Sequence, residues 1–269
     1  MEPVKYAFVG AGNMAEALIR GLLEAGAAAP SEIAAADISE ARRTHLSSAY
    51  GVCTTASNAE AASAAALVVL AVKPQGMEAV VAPLREVVGG KLVISIAAGI
   101  RLAQLETWLG TDCAIVRTMP NAPALALAGM TALCPNAACR EADVETARAL
   151  FSAVGDAVIL DDEGLLDAVT ALSGCGPGFV FEILDALAEG GVNLGLPETL
   201  SRRFALQTLF GSAKLALESG LEPATLRDRV ASPGGATLAG LEALSRGKLR
   251  ATLHSAMEAA ARRSKELSG

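Results

Sequence analysis

Four apolar residues, Tyr6-Ala7-Phe8-Val9, run straight into Gly10-Ala11-Gly12-Asn13-Met14-Ala15, and residues 16–23 follow with apolar side chains at helical spacing. No other stretch limits the fold as much. A strand that ends in a glycine turn and re-enters as a helix opens a βαβ unit, and the turn needs small residues for separate reasons. Gly10 gives the tight turn, Gly12 lets a pyrophosphate approach the backbone, and Ala15 is small where helix packs on strand. The unpaired N–H groups at the helix start point at whatever negative group lies before them. The pattern predicts a dinucleotide site built on Val9, Gly10, Ala11, Gly12, Asn13 and Met14.

The segments that follow keep the alternation. Short apolar runs at 33–37, 67–72, 92–96 and 114–118, with weaker ones at 130–134 and 157–160, are separated by helical patterns at 39–50, 77–88, 102–109 and 141–154. That order predicts a parallel, doubly wound sheet. From about Asp162 the strand signals stop, and the helices predicted are 163–173, 179–193, 198–219, 224–230, 236–245 and 249–267. Gly and Pro punctuate them. At 269 residues the chain exceeds the usual single-domain size. The expected architecture is α/β: a Rossmann-like doubly wound sheet over 1–162, then an all-α domain over 163–269 for substrate binding and dimerisation.

Composition removes several function classes. A formal charge of −7 supplies no basic face for a phosphate backbone, so no nucleic-acid partner is expected. The longest wholly apolar run, residues 64–72, is too short to cross a bilayer, and the N-terminus carries a strand where a signal peptide would sit. The expectation is a cytosolic protein without a membrane span. Five cysteines, at 53, 113, 134, 139 and 175, form no C-x-x-C pair, and only His45 and His254 exist to join them. No metal site is expected, the thiols are read as reduced, and chemistry resting on a histidine base is disfavoured.

Nicotinamide chemistry, on this fold, belongs over the carboxyl ends of the strands. Lys73-Pro74, Ala97-Ala98-Gly99 and Met119-Pro120-Asn121 stand at three successive strand ends. Pro and Gly also punctuate strands with no ligand nearby, but their recurrence, with Lys73 and Asn121 as donors, is better explained by a bound molecule. A second anion-binding pattern lies near the C-terminus, where Ser232-Pro233-Gly234-Gly235-Ala236-Thr237 precedes a helix. Such a turn is also an ordinary way to start a helix. Helix 198–219 carries Phe204, Leu206, Leu209, Phe210, Leu215 and Leu217 on more than one face. Either it lies at the centre of one subunit, or paired subunits interleave their helices.

These motifs together resemble pyrroline-5-carboxylate reductase along essentially the whole chain. The resemblance rests on the Phe8 to Met14 stretch, Ala71-Val72-Lys73-Pro74, Ser95-Ile96-Ala97-Ala98-Gly99, Arg117-Thr118-Met119-Pro120-Asn121, Ala171-Leu172-Ser173-Gly174-Cys175-Gly176-Pro177, and the Ser232 to Thr237 turn. It implies that the Gly10 to Met14 loop, Asn58, Ala71, Val72, Lys73, Pro74, Ile96, Ala97 and Asn121 touch an NAD(P)H cofactor. It further implies that Glu163, Gly234, Gly235, Ala236 and Thr237 lie at the substrate, and that subunits pair through the helical half and then into a larger assembly. Cys175 and Gly178 stand where the family pattern usually has Ser and Ala. A thiol is nearly isosteric with the hydroxyl it replaces, and a reductase needs no covalent intermediate.

The implied reaction reduces a cyclic imine carboxylate, L-1-pyrroline-5-carboxylate, to L-proline. Its carboxylate would dock on the N–H groups of Ala236 and Thr237, within the turn that Ser232 opens, and the Thr237 hydroxyl would hold the imine nitrogen or relay a proton to it. Asp37 closes the second strand, where it either binds the adenosine ribose and favours NADH or caps the next helix. Arg42 and Arg43 follow closely, and the resemblance tips the expectation to NADPH, with NADH as the alternative. Two rivals are a β-hydroxyacid dehydrogenase and a non-catalytic dinucleotide sensor. The first wants Lys-x-x-x-Asn on a helix, and the nearest match here is Lys214 with Glu218 in place of Asn.

Overall fold

The computed structural model describes residues 1–268 and divides the chain into two compact units, Met1–Cys175 with the residues from Ala260 onward, and Gly176–Ala259. In the first unit, elements follow the order β1 (Val4–Val9), α1 (Asn13–Glu24), β2 (Ile33–Ala36), α2 (Glu40–Tyr50), β3 (Cys53–Thr55), α3 (Asn58–Ala64), β4 (Ala65–Leu70), α4 (Met77–Val81), β5 (Leu92–Ser95), α5 (Leu102–Leu109), β6 (Ala114–Met119), β7 (Gly129–Pro135), α6 (Glu141–Ser152), β8 (Gly155–Ile159) and α7 (Leu166–Val169). The strands form one eight-stranded sheet ordered β3-β2-β1-β4-β5-β6-β7-β8.

Both faces of this sheet are covered, which is why its strands read as continuous apolar runs. Successive residues of one strand serve opposite sides. Val9, Ala36, Val68 and Leu70 pack with Ala61 of α3, Val81 of α4 and Leu105 of α5 on one face, whereas Phe8, Ala35, Val69 and Ile94 pack with Leu18 of α1, Leu46 of α2 and Phe151 of α6 on the other. The order reverses between β1 and β4, where the chain, having wound outwards to β3, returns to the other side of β1. Such a reversal opens a crevice at the carboxyl ends of the two strands.

The sheet departs from the all-parallel expectation at one place. β7 runs antiparallel to β6, then pairs in parallel with β8. Parallel neighbours need a crossover of about a dozen residues or more, and the 120–128 connection, interrupted by Pro123, forms only a short 3₁₀ turn over Ala122–Ala126. Three further corrections are smaller. β3 and α3 were not anticipated, the first being a three-residue strand at the sheet edge. The helix expected over 77–88 stops at Val81 and continues as a 3₁₀ turn around Pro83. The helix expected over 163–173 is a 3₁₀ turn (Glu163–Leu165), then α7, then a π-helical turn (Thr170–Gly174).

Element type changes near Asp162, while contacts divide the chain after Cys175. The intervening α7 and π turn belong to the first unit, whose core takes in Leu166. The second unit holds α8 (Gly176–Asn193), α9 (Glu198–Ser219), α10 (Pro223–Val230), α11 (Ala236–Arg246) and most of α12 (Leu249–Ser268). From Ala260 α12 belongs to the first unit, where Ser264 Oγ donates to Asp167 Oδ1 (2.6 Å).

The second unit has almost no interior of its own. α8 and α9 form a hairpin in which Ser201 Oγ donates to the Ala188 carbonyl at 2.6 Å. Ala188, Ser201 and Ala205 are its only buried residues among those described, while Phe181 (63% exposed), Phe210 (62%) and Leu217 (85%) face outwards. One stretch, Glu163–Asn193, contains an 18-residue window that is by length and composition apolar enough to cross a bilayer, with a mean hydropathy of 1.3. The expectation of no such span counted unbroken apolar runs. This stretch escapes that count because Gly, Ser and acidic residues interrupt it.

Candidate active site

The glycine turn has the geometry its residues predict. Gly10 sits at φ +98°, and a Cβ there would stand 2.7 Å from the Ala71 carbonyl oxygen at the end of β4. Its N–H donates to Ala36 O, and Ala71 N–H donates to Val9 O, both at 2.8 Å. The turn is thereby sewn to β2 on one side and β4 on the other. Gly12 caps α1 with extended backbone and no side-chain hydrogen bond, and nothing lies within 4 Å of where its Cβ would be. The first-turn N–H groups at Gly12, Asn13 and Met14 carry no partner among the described residues. Ala15 is fully buried against the sheet. Open donors at a helix start, with space before them, fit a dinucleotide's pyrophosphate.

Register places the other predicted cofactor residues at the same edge. Val9, Ala36 and Leu70 lie level, as do Leu70, Ser95 and Arg117, so Gly10, Asp37, Ala71 and Ile96 leave their strands together. Ala71, Val72 and Pro74 are half-buried, and Lys73 is exposed with no partner among the described residues. Ile96 donates from its N–H to Leu70 O, and Ala97 is buried. Asn58 opens α3 behind the Ser57 cap. Asn121 is already engaged at both ends of its amide: Oδ1 accepts from Met130 N–H (2.9 Å), and Nδ2 donates to Ser173 Oγ (3.1 Å) in the π turn. That ties the β6 end to the Ser173-Gly174-Cys175-Gly176 motif. Cys175 N–H closes the turn on Thr170 O at 2.8 Å.

Behind the turn lies a polar network that the sequence did not disclose. The Asp37 carboxylate accepts from Ala11 N–H and Ser39 N–H, each at 2.8 Å. Ser39, not Asp37, caps α2. Arg42 Nε donates to Ala11 O (2.8 Å) and its Nη2 to Glu16 Oε2 (2.6 Å), while Arg43 Nη1 donates to the carbonyls of Asp37 and Ile38. Glu16 also meets His45 Nε2 (2.7 Å) and Tyr50 Oη (3.0 Å). Burial alone raises the Glu16 pKa, but the hydrogen bonds from His45, Arg42 and Tyr50 overcome it and hold the carboxyl at about 2. These partners are 26 to 34 residues from Glu16, so no local pattern announces them.

Glu163, implied at the substrate, is committed within the first unit. Its Oε1 accepts from Arg117 Nη1 (2.6 Å) and from the Leu102 N–H that opens α5 (2.8 Å). Arg117 is buried in β6, so the carboxylate neutralises a guanidinium that has little contact with water. No sequence pattern links these two residues. Burial holds the thiols of Cys113 and Cys134 up at about 11, protonated and unreactive at neutral pH.

The other implied substrate residues belong to the second unit. Gly235 caps α11, its N–H donating to Ser232 O at 3.0 Å, and Gly234 takes φ +72° to make the turn. A Cβ on Gly235 would meet Ser232 Oγ at 2.5 Å, so the serine side chain folds across it. Ala236 and Thr237 are exposed, and neither their N–H groups nor the Thr237 hydroxyl has a partner among the described residues. The turn thus offers two main-chain donors and a hydroxyl to one small volume. Lys214, the base a β-hydroxyacid dehydrogenase would need, pairs with Glu218 on an exposed face of α9 (2.5 Å).

Comparison with known proteins agrees with both halves. A family profile described as pyrroline-5-carboxylate reductase dimerisation matches residues 163–267, and one described as NADP oxidoreductase coenzyme F420-dependent matches 5–99. The pyrroline-5-carboxylate reductase of Pseudomonas aeruginosa is 44% identical over 268 residues, covering 99% of this chain and 98% of its own. Among solved structures, a pyrroline-5-carboxylate reductase from Coxiella burnetii is similar with a TM-score of 0.94 at 36% identity, covering 100% of both chains. The NADP-bound pyrroline carboxylate reductase of Plasmodium falciparum is similar with a TM-score of 0.89 at 32% identity, again over 100% of both. With that likeness running through the glycine turn and the Ser232 to Thr237 turn alike, the chain belongs to the pyrroline-5-carboxylate reductase family.

Proposed function

We infer that the protein reduces L-1-pyrroline-5-carboxylate to L-proline, the final step of proline synthesis. The observation that carries this is the full-length identity of 44% to a curated reductase, which leaves no part of the chain outside the match that a different chemistry would need. Bound NAD(P)H supplies the hydride that adds to the imine carbon. The chain's own residues place the acceptor: the Ala236 and Thr237 amides take the carboxylate, where the dipole of α11 favours negative charge. The Thr237 hydroxyl holds the ring nitrogen, which gains one proton as the C=N bond becomes a C–N single bond. Correct placement alone supplies about 7–11 kcal/mol of barrier lowering in favourable cases. Assays of NADPH oxidation with the five-membered imine, and of NADP reduction with 3-hydroxyisobutyrate, test the reading. Turnover with the imine is expected. Turnover with the hydroxyacid alone, or with neither, overturns it.

NADPH is the preferred cofactor in this reading, and NADH is accepted. Asp37, whose charge would repel a 2′-phosphate, is already satisfied by two amides, and Arg43 of α2 reaches the chain just past β2 with donors beyond those spent on the Asp37 and Ile38 carbonyls. A charge-assisted phosphate contact is worth about 1.5–3 kcal/mol, or roughly 10- to 150-fold. Arg43→Leu should therefore lower kcat/KM for NADPH by about that range while NADH changes less than roughly twofold. Equal losses for both cofactors would remove Arg43 from phosphate recognition.

The functional particle is a dimer, or a ring of dimers, joined through the helical segment. A unit with only Ala188, Ser201 and Ala205 buried cannot offset the entropy of ordering its helices, so a second copy must supply its core. In this reading the apolar face of Glu163–Asn193 is covered by protein and not by lipid. Light scattering on the purified protein should show no monomer at micromolar concentration, and Phe210→Asp should release unstable monomers. A folded, active monomer, or protein recovered only with membranes, would overturn the assembly.

A further inference from the structure

We propose that Arg42, locked by Glu16, is a positioning residue that aims the glycine turn, and takes no part in recognising the cofactor's 2′-phosphate. The inference rests on reading the β1–α1 turn as the dinucleotide site. An arginine just after β2 is where a phosphate ligand is ordinarily sought. Here the guanidinium has turned the other way. Nε and Nη2 form one edge of the planar group, and that edge is spent on Ala11 O and Glu16 Oε2.

The Ala11 carbonyl shares a peptide plane with the Gly12 N–H, and in a trans peptide the two point in opposite directions. The chain has no cis peptide among the described residues. Holding Ala11 O on Arg42 therefore aims the Gly12 N–H away from the network, while Asp37 fixes the preceding peptide through Ala11 N–H. Nothing lies within 4 Å of where a Gly12 Cβ would stand, so the backbone there is open to close approach.

Glu16 makes the arginine a fixed strut. It stands in the first turn of α1 and receives Arg42, His45 and Tyr50, all from α2. Leu46 is the only buried residue of α2, so this carboxylate is a main tie between that helix and the turn. The charged groups around Arg42 are Glu16, Asp37 and Arg43, with His45 beyond Glu16. Glu16 neutralises the Arg42 guanidinium, so of the two arginines only Arg43, whose remaining nitrogens are unspent, is left for a phosphate.

The test is direct titration of NADPH and NADH, without imine, onto the wild-type protein and onto Arg42→Met, Arg42→Lys and Glu16→Gln. Arg42→Met should weaken both dinucleotides by the same factor, roughly tenfold. Arg42→Lys, which reaches Ala11 O or Glu16 but not both, should fall between. Glu16→Gln should weaken both equally, and the double variant E16Q/R42M should bind no worse than R42M. Should R42M fail to fold, R42K and E16Q give the same comparison. Weakening of NADPH alone, no weakening of either, or multiplying losses in the double variant would overturn the proposal. A wild-type protein that bound neither dinucleotide would instead sink the reading of the turn itself.

Discussion

Thr237→Ala is expected to lower kcat for the imine by about a hundredfold, close to 2.7 kcal/mol of transition-state stabilisation, with cofactor affinity and thermal midpoint nearly unchanged. The attribution is clean because the hydroxyl does nothing else. It is exposed at the second position of α11 and has no partner among the described residues. Removing it should thus cost the fold less than about 0.5 kcal/mol. Alanine also propagates a helix better than threonine. The main-chain N–H at position 237 survives the substitution, so the carboxylate should still dock and KM for the imine should move little. That split separates this role from a general loosening of the turn, which would raise KM as well. Thr237→Ser, which keeps the hydroxyl, should recover most of the rate. Unchanged steady-state kinetics in the alanine variant would remove Thr237 from the chemistry.

How much of this was legible depends on how local each cause is. The β1–turn–α1 unit was readable because one strand, three small residues and an amphipathic helix are contiguous in sequence. Helices α9 and α11 were placed within a residue or so, since Gly and Pro mark their ends. The reversal at β7 was within reach: the stretch between Met119 and Gly129 is too short for a crossover helix, and two prolines interrupt it. β3 was not readable. Cys53-Thr54-Thr55 carries no apolar alternation, and its strand state comes from pairing with β2.

For the residues expected at the site, the structure adds their protein partners. Asp37, Asn121 and Glu163 were singled out for ligands, and each proves to hold protein groups: Asp37 the turn, Asn121 the π turn and β7, Glu163 the buried Arg117 and the start of α5. A carboxylate beside a strand end looks the same in sequence whether it faces a ribose or an amide 26 residues away. The fold supplies the amide partner. The consequence is that the first unit offers few free polar side chains at its crevice, Lys73 among them, and most of the predicted recognition there falls to main-chain N–H groups.

Two neighbouring glycines give the sharpest test of that main-chain site. Gly10→Ala should both destabilise the protein and abolish dinucleotide binding. Its Cβ would stand 2.7 Å from Ala71 O and 2.8 Å from Ala71 C, backbone atoms that cannot move without breaking the sewing of β1 to β4. The φ of +98° adds strain of about 1–3 kcal/mol for any residue with a Cβ. The midpoint of thermal unfolding should drop by several degrees, about 2–4 °C for each kcal/mol lost in a chain of this size. Gly12→Ala is the counterpart. Its backbone is extended and nothing lies within 4 Å of the new methyl group, so the fold should be indifferent to it. The methyl would project into the space a pyrophosphate must enter, and affinity should fall by about tenfold or more with stability intact. If Gly12→Ala bound NADPH as tightly as the wild-type protein, the phosphates would have to lie elsewhere, and the open face of the turn would need another occupant.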